Sequence, residues 1–187
     1  MRVIAGTARG RRLKAPARER RSAAATTVRP TSDLMRGAIF SALASLGADM
    51  ARVLDVYAGS GALGIEALSR GAGWCDFVES DPATCALIRE NLRLTGFEDR
   101  ARVYCLAVER ANARLREPYT LILADPPYAD REAVAALEAL CSSGLVQPRV
   151  TVLVLEHSAR EEPGASIGPL ELVNSRRHGD SAVSIYR

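Results

Sequence analysis

The stretch DVYAGSGALGIE, at residues 55–66, decides the fold of this chain. Gly59, Gly61 and Gly64 match the spacing GxGxxG, directly after an apolar run and directly before a helical pattern. In that context the glycines allow a tight turn and a close approach of ligand to backbone, and the helix N-terminus offers free N–H groups. The stretch therefore predicts a cofactor site, for either a dinucleotide or S-adenosylmethionine.

Strand-length apolar runs alternate with helical patterns from residue 51 onward. The runs are apolar on both faces, which is typical of a parallel sheet covered by helices on both sides. We expect strands at 53–58, 75–78, 103–106, 119–124 and 150–155, and helices at 61–70, 82–94 and 130–141 with a shorter one near 107–115. Runs at 170–173 and 182–186, with no helix between them, predict a terminal antiparallel hairpin. The predicted class is α/β, Rossmann-like.

The first residues predict a small extension to this domain. Runs at 2–5 and 11–14 predict two short strands around a turn from Gly6 to Gly10, and residues 15–28 predict a connector. A helix is expected to begin at Thr31 or Ser32 and to end near Leu46. We therefore divide the chain into a hairpin and connector, residues 1–28, and a Rossmann-like domain, residues 29–187.

Composition excludes several classes of protein. A length of 187 residues with 48% hydrophobic and 25% charged residues is typical of one globular domain. The longest apolar stretches have the length of strands, which argues against a membrane-spanning helix. Four cysteines without a CxxC pair, beside two histidines, argue against a zinc site or a disulfide framework. We expect a cytoplasmic, metal-free monomer.

The charge is distributed unevenly along the chain. Residues 1–36 carry ten basic and two acidic side chains, a net charge of +8, whereas residues 37–187 carry −5. Such an arm favours a polyanionic partner such as RNA, although a charge run is also compatible with a solvated tail. The expected RNA-binding residues are Arg2, Arg9, Arg11, Arg12 and Lys14, on a hairpin beside the crevice, together with Arg29 and Arg36. For Arg29 and Arg36, contact with the cofactor or a structural ion pair remains an alternative.

Two acids refine the cofactor prediction. Asp55 lies four residues before Gly59, where it would repel a pyrophosphate and would suit an ammonium group. Glu79 ends the second predicted strand and can accept hydrogen bonds from both hydroxyls of a ribose. The remaining expected cofactor contacts are Tyr57, Gly59, Ser60 and Gly61 in the loop.

The segment Asp125-Pro126-Pro127-Tyr128 follows another predicted strand directly. Two prolines fix the backbone, so the end of this strand becomes a rigid shelf. The Asp125 carboxylate and the Pro126 carbonyl can accept the two hydrogens of an exocyclic amine of a nucleobase, which directs the nitrogen lone pair at a methyl group. Tyr128 offers a ring on which an extruded base can stack. These four residues are the predicted catalytic segment.

Together these residues resemble the bacterial 16S rRNA guanine-N2 methyltransferases of the RsmD type, which are class I S-adenosylmethionine-dependent enzymes. The resemblance spans nearly the whole chain. Its elements are residues 3–6, 9–11, 29–31, 55–66, 68–72, 78–79, 125–128, 155–156 and 179–180, with Asp33 and Arg36. It implies a mostly parallel seven-stranded sheet, S-adenosylmethionine as cofactor, and methyl transfer to the N2 amine of guanine 966 in 16S rRNA. It also implies an assembling small ribosomal subunit as the partner.

The chain departs from the family in three places. The connector over 15–28 is longer, and His178 stands where the family has tyrosine. No acid follows the third predicted strand, so the adenine is expected to contact Leu106 and Ala107 through backbone and apolar groups.

Three other functions remain open from the sequence. An adenine-N6 methyltransferase could use the same Asp-Pro-Pro-Tyr segment, and an NAD-dependent oxidoreductase would share the glycine loop. A non-catalytic RNA-binding module would explain the basic arm but not the segment at 125–128.

Overall fold

The computed structural model describes residues 1–15, 30–127, 130 and 132–187. The connector predicted over 15–28 therefore lies, apart from residue 15, outside the described residues, as does the predicted domain boundary. No helix among the described residues is long and apolar enough to cross a membrane.

Strands and helices alternate through the centre of the chain. The helices are α1 (Pro30–Ser45), α2 (Ala62–Ser69), α3 (Pro82–Thr95) and α4 (Ala133–Cys141), with 3-10 turns at Glu98–Arg100 and Val108–Ala113. The strands are β1 (Arg52–Val56), β2 (Trp74–Glu79), β3 (Ala101–Cys105), β4 (Leu121–Ala124), β5 (Val152–Ser158), β6 (Ser166–Ile167), β7 (Leu170–His178) and β8 (Ser181–Tyr186). The strands and helices predicted between residues 51 and 187 thus exist, with shifts of a few residues at their ends, and the short helix expected near 107–115 is a 3-10 helix.

Local sequence signals place the ends of α3. Asp81 caps its N-terminus by accepting the amide proton of Thr84, and Pro82 occupies the first turn, where no N–H is needed. Gly96 ends the helix in a left-handed conformation, φ 78°, which suits glycine.

One sheet contains all eight strands, in the order β3-β2-β1-β4-β5-β8-β7-β6. The pairs among β1 to β5 are parallel, whereas β8, β7 and β6 form an antiparallel edge. The mostly parallel sheet and the terminal hairpin are confirmed, but the expected number of seven strands is wrong. The extra strand, β6, has only two residues, too few for an alternating hydrophobic pattern to be visible in the sequence.

Two apolar clusters cover the two faces of the sheet. The cluster that includes Leu137 of α4 and Ala111 packs on one face. The other contains side chains of α1, α2 and α3 and also Val3, Ala8 and Leu13 from the N-terminal arm, which we define as residues 1–14. The arm is a hairpin with one antiparallel bridge, between Arg2 and Arg12, rather than the two short strands expected. Because its apolar side chains are buried, the arm packs as part of the domain.

Candidate active site

The register of the sheet brings the predicted site residues into one row. Val56, the last residue of β1, pairs with Val78 of β2 on one side and with Ala124 of β4 on the other. The next residues, Tyr57, Glu79 and Asp125, therefore follow three neighbouring strand ends. Adjacent strands lie about 4.8 Å apart, so this row is narrow enough to contact one ligand. This is the edge of a parallel sheet at which ligands bind in such folds.

The glycine loop has the conformation that its sequence predicts. Gly59 and Gly61 have positive φ values of 54° and 77°. Gly61 is the cap residue of α2, and no side chain caps this helix. The N–H groups of Ala62 and Leu63 in its first turn are thus available to an anionic group of a ligand, whereas that of Gly64 is bonded to the side chain of Asp55. At Gly64, a Cβ atom would lie 2.4 Å from a ring carbon of Phe77, so only glycine allows α2 to pack this close to β2.

Asp55 lies beneath this loop. It is 1% exposed, and its Oδ2 accepts the amide proton of Gly64 at 2.8 Å. Burial raises the pKa of Asp55 well above its usual value; the hydrogen bond from Gly64 opposes this, and the charges of Asp125 and Glu79 add to it. The structure therefore places three carboxyl groups within electrostatic reach of one another at the strand ends.

Glu79 holds the glycine loop directly. Its Oε2 accepts the amide proton of Gly59 at 2.9 Å, and its Oε1 accepts that of Asp81 at 2.9 Å. The side chain is partly exposed. A ligand in the loop would thus meet a carboxylate whose position is already fixed.

Tyr57 has an unusual conformation for a residue with a side chain, with φ 56°. Its hydroxyl is buried and has no hydrogen-bond partner among the described residues. Burial raises the pKa of Tyr57, with smaller contributions from Asp130 and Glu109, so the phenol stays neutral. Backbone strain of this kind is found at functional sites, where the surrounding structure stabilises it.

The other predicted cofactor contacts lie around the loop. Ser60 is buried, and its carbonyl oxygen accepts a hydrogen bond from Asn91 Nδ2 at 2.9 Å. Leu106 donates its amide proton to the Glu79 carbonyl at 2.9 Å, which fixes Leu106 and Ala107 beside the end of β2. Both are partly buried and apolar, as expected for residues that flank an adenine.

The predicted catalytic segment extends directly from β4. Asp125 is exposed, Pro126 is buried and Pro127 is exposed, and the Pro127 carbonyl accepts the amide proton of Asp130 at 2.8 Å. The shelf is therefore anchored on both sides of the exposed carboxylate. Tyr128 lies outside the described residues, so its predicted stacking role remains a prediction.

The N-terminal arm packs along α2, a contact that the sequence did not reveal. Glu66, which is fully buried, accepts the amide protons of Ile4 and Ala5 at 2.8 and 3.0 Å. The Ser69 hydroxyl donates to the Ala5 carbonyl at 2.6 Å. Gly6 lies so close that a Cβ atom there would be 1.8 Å from the Ser69 carbonyl oxygen.

Asn91 of α3 joins the other end of the arm to the glycine loop. Its Oδ1 accepts the Lys14 amide proton at 2.8 Å, and its Nδ2 donates to the carbonyls of Lys14 and Ser60, each at 2.9 Å. One signal in the sequence could have found this residue. Asn91 occurs at helical spacing between the buried Ile88 and Thr95, where an apolar residue is expected.

The turn of the arm lies away from the crevice, contrary to the expectation. Thr7 donates its amide proton to the carbonyl of Ser69 at the end of α2, and Arg11 NH1 donates to the carbonyl of Leu94 at the end of α3. Both helices begin at the edge that carries the glycine loop, so both contacts lie at the opposite edge. The reason is that the direction of the hairpin is fixed by contacts with Glu66, Ser69 and Asn91. These contacts are distant in the sequence, so no local pattern encodes them.

The predicted RNA-binding residues therefore fall into different environments. Arg2 pairs with Asp33, and Lys14 pairs with Glu90. The side chains of Arg9 and Arg12 are exposed and have no polar partner among the described residues, and Arg29 lies outside those residues. Their role in RNA binding remains a prediction.

Arg36 forms a structural ion pair with Asp33, which is one of the alternatives that the sequence left open for this residue. It is 5% exposed, and its NH2 donates to Asp33 Oδ1 at 2.5 Å and to the Arg2 carbonyl at 3.0 Å. Burial lowers its pKa, and attraction to Asp33 opposes that change. A buried, paired guanidinium of this kind fits the structural alternative, and an RNA contact of Arg36 stays an untested prediction.

A family model described as "Conserved hypothetical protein 95" matches residues 1–187. The chain belongs to this family. A Bacillus subtilis relative named "Putative rRNA methyltransferase YlbH" is 34% identical over 190 residues, which cover 100% of this chain and 98% of that protein. "Ribosomal RNA small subunit methyltransferase D" of Escherichia coli is 37% identical over 128 residues, which cover 68% of this chain and 60% of that protein.

A solved structure agrees with these matches. "Putative methyltransferase yhhF from Escherichia coli" superposes with a TM-score of 0.81 at 30% identity, covering 100% of this chain and 96% of that one. The RsmD-type resemblance inferred from the residues is thus confirmed. In this chain the glycine loop follows β1 and the Asp125 shelf follows β4, which is the neighbouring strand in the sheet.

Proposed function

We propose that this chain transfers a methyl group from S-adenosylmethionine to the exocyclic N2 amine of a guanine in 16S rRNA, with guanine 966 as the nucleotide that the resemblance implies. The observation that carries the proposal is the group of carboxyls at the strand ends: Asp55, Glu79 and Asp125, with Glu156 next in the row because Leu155 pairs with Ala124. The negative potential of the accessible carboxylates among them, Glu79, Asp125 and Glu156, favours a cofactor with sulfonium and ammonium groups and disfavours a pyrophosphate. It therefore argues against an NAD-dependent oxidoreductase.

The chain's residues bind this cofactor by complementary chemistry. When bound, S-adenosylmethionine supplies an electrophilic methyl group on a sulfonium. The N–H groups of Ala62 and Leu63 at the N-terminus of α2 can bind the carboxylate of its amino-acid part, and Asp55 supports the loop from beneath through its hydrogen bond with Gly64. Glu79 can accept the ribose hydroxyls, and Leu106 and Ala107 can flank the adenine.

The Asp125 shelf orients the acceptor base. The Asp125 carboxylate and the Pro126 carbonyl accept the two amine hydrogens, so the nitrogen lone pair points towards the glycine loop. Transfer would form an N–C bond at the expense of the C–S bond of the bound cofactor, and Asp125 or water would accept the proton that the nitrogen releases. Because the methyl group is already activated, the rate enhancement comes mainly from this orientation.

The names of the relatives support rRNA as the substrate. A guanine amine within a helix is reached only when the base leaves its stack or lies in a loop, and Tyr128 is the expected stacking partner. We propose the assembling small subunit in the cytoplasm as the partner.

Mass spectrometry of 16S rRNA from cells with and without the gene tests this function. We expect one methylguanosine to disappear with the gene and to return with the wild-type protein but not with Asp125→Ala. Loss of a methyladenosine instead would support the adenine-N6 alternative. Unchanged methylation of the 16S rRNA would contradict the proposal.

A further inference from the structure

Two consecutive arginines, Arg176 and Arg177, lie on the same edge of the sheet as Asp125. Glu156 of β5 pairs with Val183 of β8, and Val183 pairs with Arg176 of β7. Since Leu155 pairs with Ala124, Asp125 and Arg176 belong to one row across four adjacent strands. Three strand spacings separate them, about 14 Å along the sheet.

The order of residues in this row distinguishes a cofactor side from a substrate side. Glu79 and Tyr57 lie on one side of Asp125, where the glycine loop is. Arg176 and Arg177 lie on the other side, beyond β5 and β8. An RNA whose target base reaches Asp125 without displacing the cofactor must lie on this second side.

Both arginines are available for a ligand. They are exposed, and neither guanidinium group has a hydrogen bond or ion pair among the described residues. Successive residues of a strand point to opposite faces, so the two guanidinium groups reach both sides of the hairpin. Acids also occur nearby, Glu156 in the row and Asp180 in the turn, but Arg36 of α1 lies within electrostatic reach of Glu156.

The turn of the arm cannot take this position. It carries Arg9 and Arg11, and it contacts the ends of α2 and α3 at the opposite edge of the sheet. At the open end of the arm, Arg2 and Lys14 are paired with Asp33 and Glu90, whereas the guanidinium groups of the C-terminal hairpin have no such partner among the described residues.

We propose that Arg176 and Arg177 bind the phosphate backbone of the RNA strand next to the target base, and this rests on the proposed function. Guanidinium groups bind phosphate oxygens through paired hydrogen bonds and carry no base specificity. The C-terminal hairpin is thus the RNA-facing wall of the active site, and the turn of the arm contributes at most a remote contact.

The test compares three double variants of the full chain. Arg176→Ala with Arg177→Ala removes the proposed contact. Arg9→Ala with Arg12→Ala removes the same charge from the competing surface. Arg114→Ala with Arg116→Ala is the matched control, because both arginines are exposed in the segment before β4 and have no polar partner among the described residues. The substrate is small subunits from cells that lack the gene, and methyl incorporation is measured across a range of salt concentrations.

The Arg176/Arg177 variant should raise the KM for the subunit about tenfold and lower the slope of log affinity against log salt by about 1.4, since each phosphate contact contributes about 0.7 for a single strand. Its Kd for S-adenosylmethionine should stay within about twofold of wild type. The variant with lysine at both positions should recover the salt slope, which a loss of folding would not explain.

Two results would overturn the inference. In one, the Arg9/Arg12 variant raises the KM while the Arg176/Arg177 variant behaves like the control, so the RNA crosses the opposite edge. In the other, none of the three variants changes RNA binding. If the wild-type protein itself transfers no methyl group, the proposed function fails, and the affinity of the same variants for 16S rRNA, measured by fluorescence anisotropy, still decides which surface binds RNA.

Discussion

The Nδ2 atom of Asn91 donates to the Ser60 carbonyl oxygen at 2.9 Å and thereby ties α3 to the cofactor loop. The same side chain makes two hydrogen bonds to the backbone of Lys14. One fully buried amide therefore joins the N-terminal arm, the loop and the helix that follows Glu79. The arm and the cofactor site are mechanically connected, although they are far apart in the sequence.

Asn91→Ala should lower the free energy of unfolding by about 3 kcal/mol, because the backbone groups of Lys14 and Ser60 lose their buried partner. Urea denaturation measures this loss. Thr95→Val is the control, since the Thr95 hydroxyl bonds only to carbonyls of its own helix, and it should cost about 1 kcal/mol. Equal losses in the two variants would mean that Asn91 does not connect the arm to the loop.

Gly6→Ala should detach the arm from α2. Gly6 and Gly10 share the same φ of 82°, but a Cβ atom at Gly6 would clash with the Ser69 carbonyl, whereas nothing lies within 4 Å of one at Gly10. Gly10→Ala should therefore cost only the strain of a left-handed alanine, about 1–2 kcal/mol. Gly6→Ala should cost clearly more and should expose the arm to limited proteolysis. A matching stability for the two variants would contradict the close packing at Gly6.

Glu79→Ala should raise the Kd for S-adenosylmethionine by about tenfold or more, because both the ribose contact and the support of Gly59 are lost. Isothermal titration calorimetry measures this change. Asp81→Ala is the matched control two residues away: Asp81 caps α3 and does not contact the loop, so this variant should lose about 1 kcal/mol of stability and keep its affinity for cofactor. If Glu79→Ala and Asp81→Ala changed the Kd for S-adenosylmethionine equally, the prediction would be wrong.

The buried Asp55 should make stability depend on pH. Because burial raises its pKa above the ordinary 3.8, the folded protein keeps this proton at pH values where the unfolded chain has released it. The free energy of unfolding contributed by Asp55 therefore falls as the pH rises from about 4 through the raised pKa. Asp55→Asn keeps an oxygen for the Gly64 amide and should remove this fall, so its stability relative to wild type should increase with pH. The free energy of unfolding of both proteins is measured by urea titration at several pH values. If it changed with pH in the same way for wild type and Asp55→Asn, the raised pKa of Asp55 would be contradicted.

The local part of the site could be predicted from the sequence. The roles of Gly59, Gly61 and Gly64 follow from their spacing alone, because each glycine allows a backbone conformation or a close contact that the adjacent turn or helix requires. The row of Tyr57, Glu79 and Asp125 follows from the rule that parallel strands end at one edge. The two-residue strand at Ser166–Ile167 was missed because it is shorter than any periodic pattern.

The non-local part could not be predicted. Glu66 bonds to residues about 60 positions earlier, and Asn91 to one 77 positions earlier, and no local pattern encodes such pairs. The same holds for Arg36, which looks like a free cation in the sequence and is buried against Asp33. Charge counted along the chain thus predicts a polyanionic partner but does not locate the individual charges in the fold.

The central claim is that a methyl group in the glycine loop and a base held by Asp125 meet at one edge of the sheet. Single-turnover methyl transfer from labelled S-adenosylmethionine to small subunits from cells lacking the gene tests it most directly. With Asp125→Ala, the account predicts that the transfer rate falls by about 100-fold or more, while the Kd for S-adenosylmethionine stays within about threefold, because Asp125 orients the base rather than the cofactor. A variant that transfers the methyl group at the wild-type rate would contradict the account.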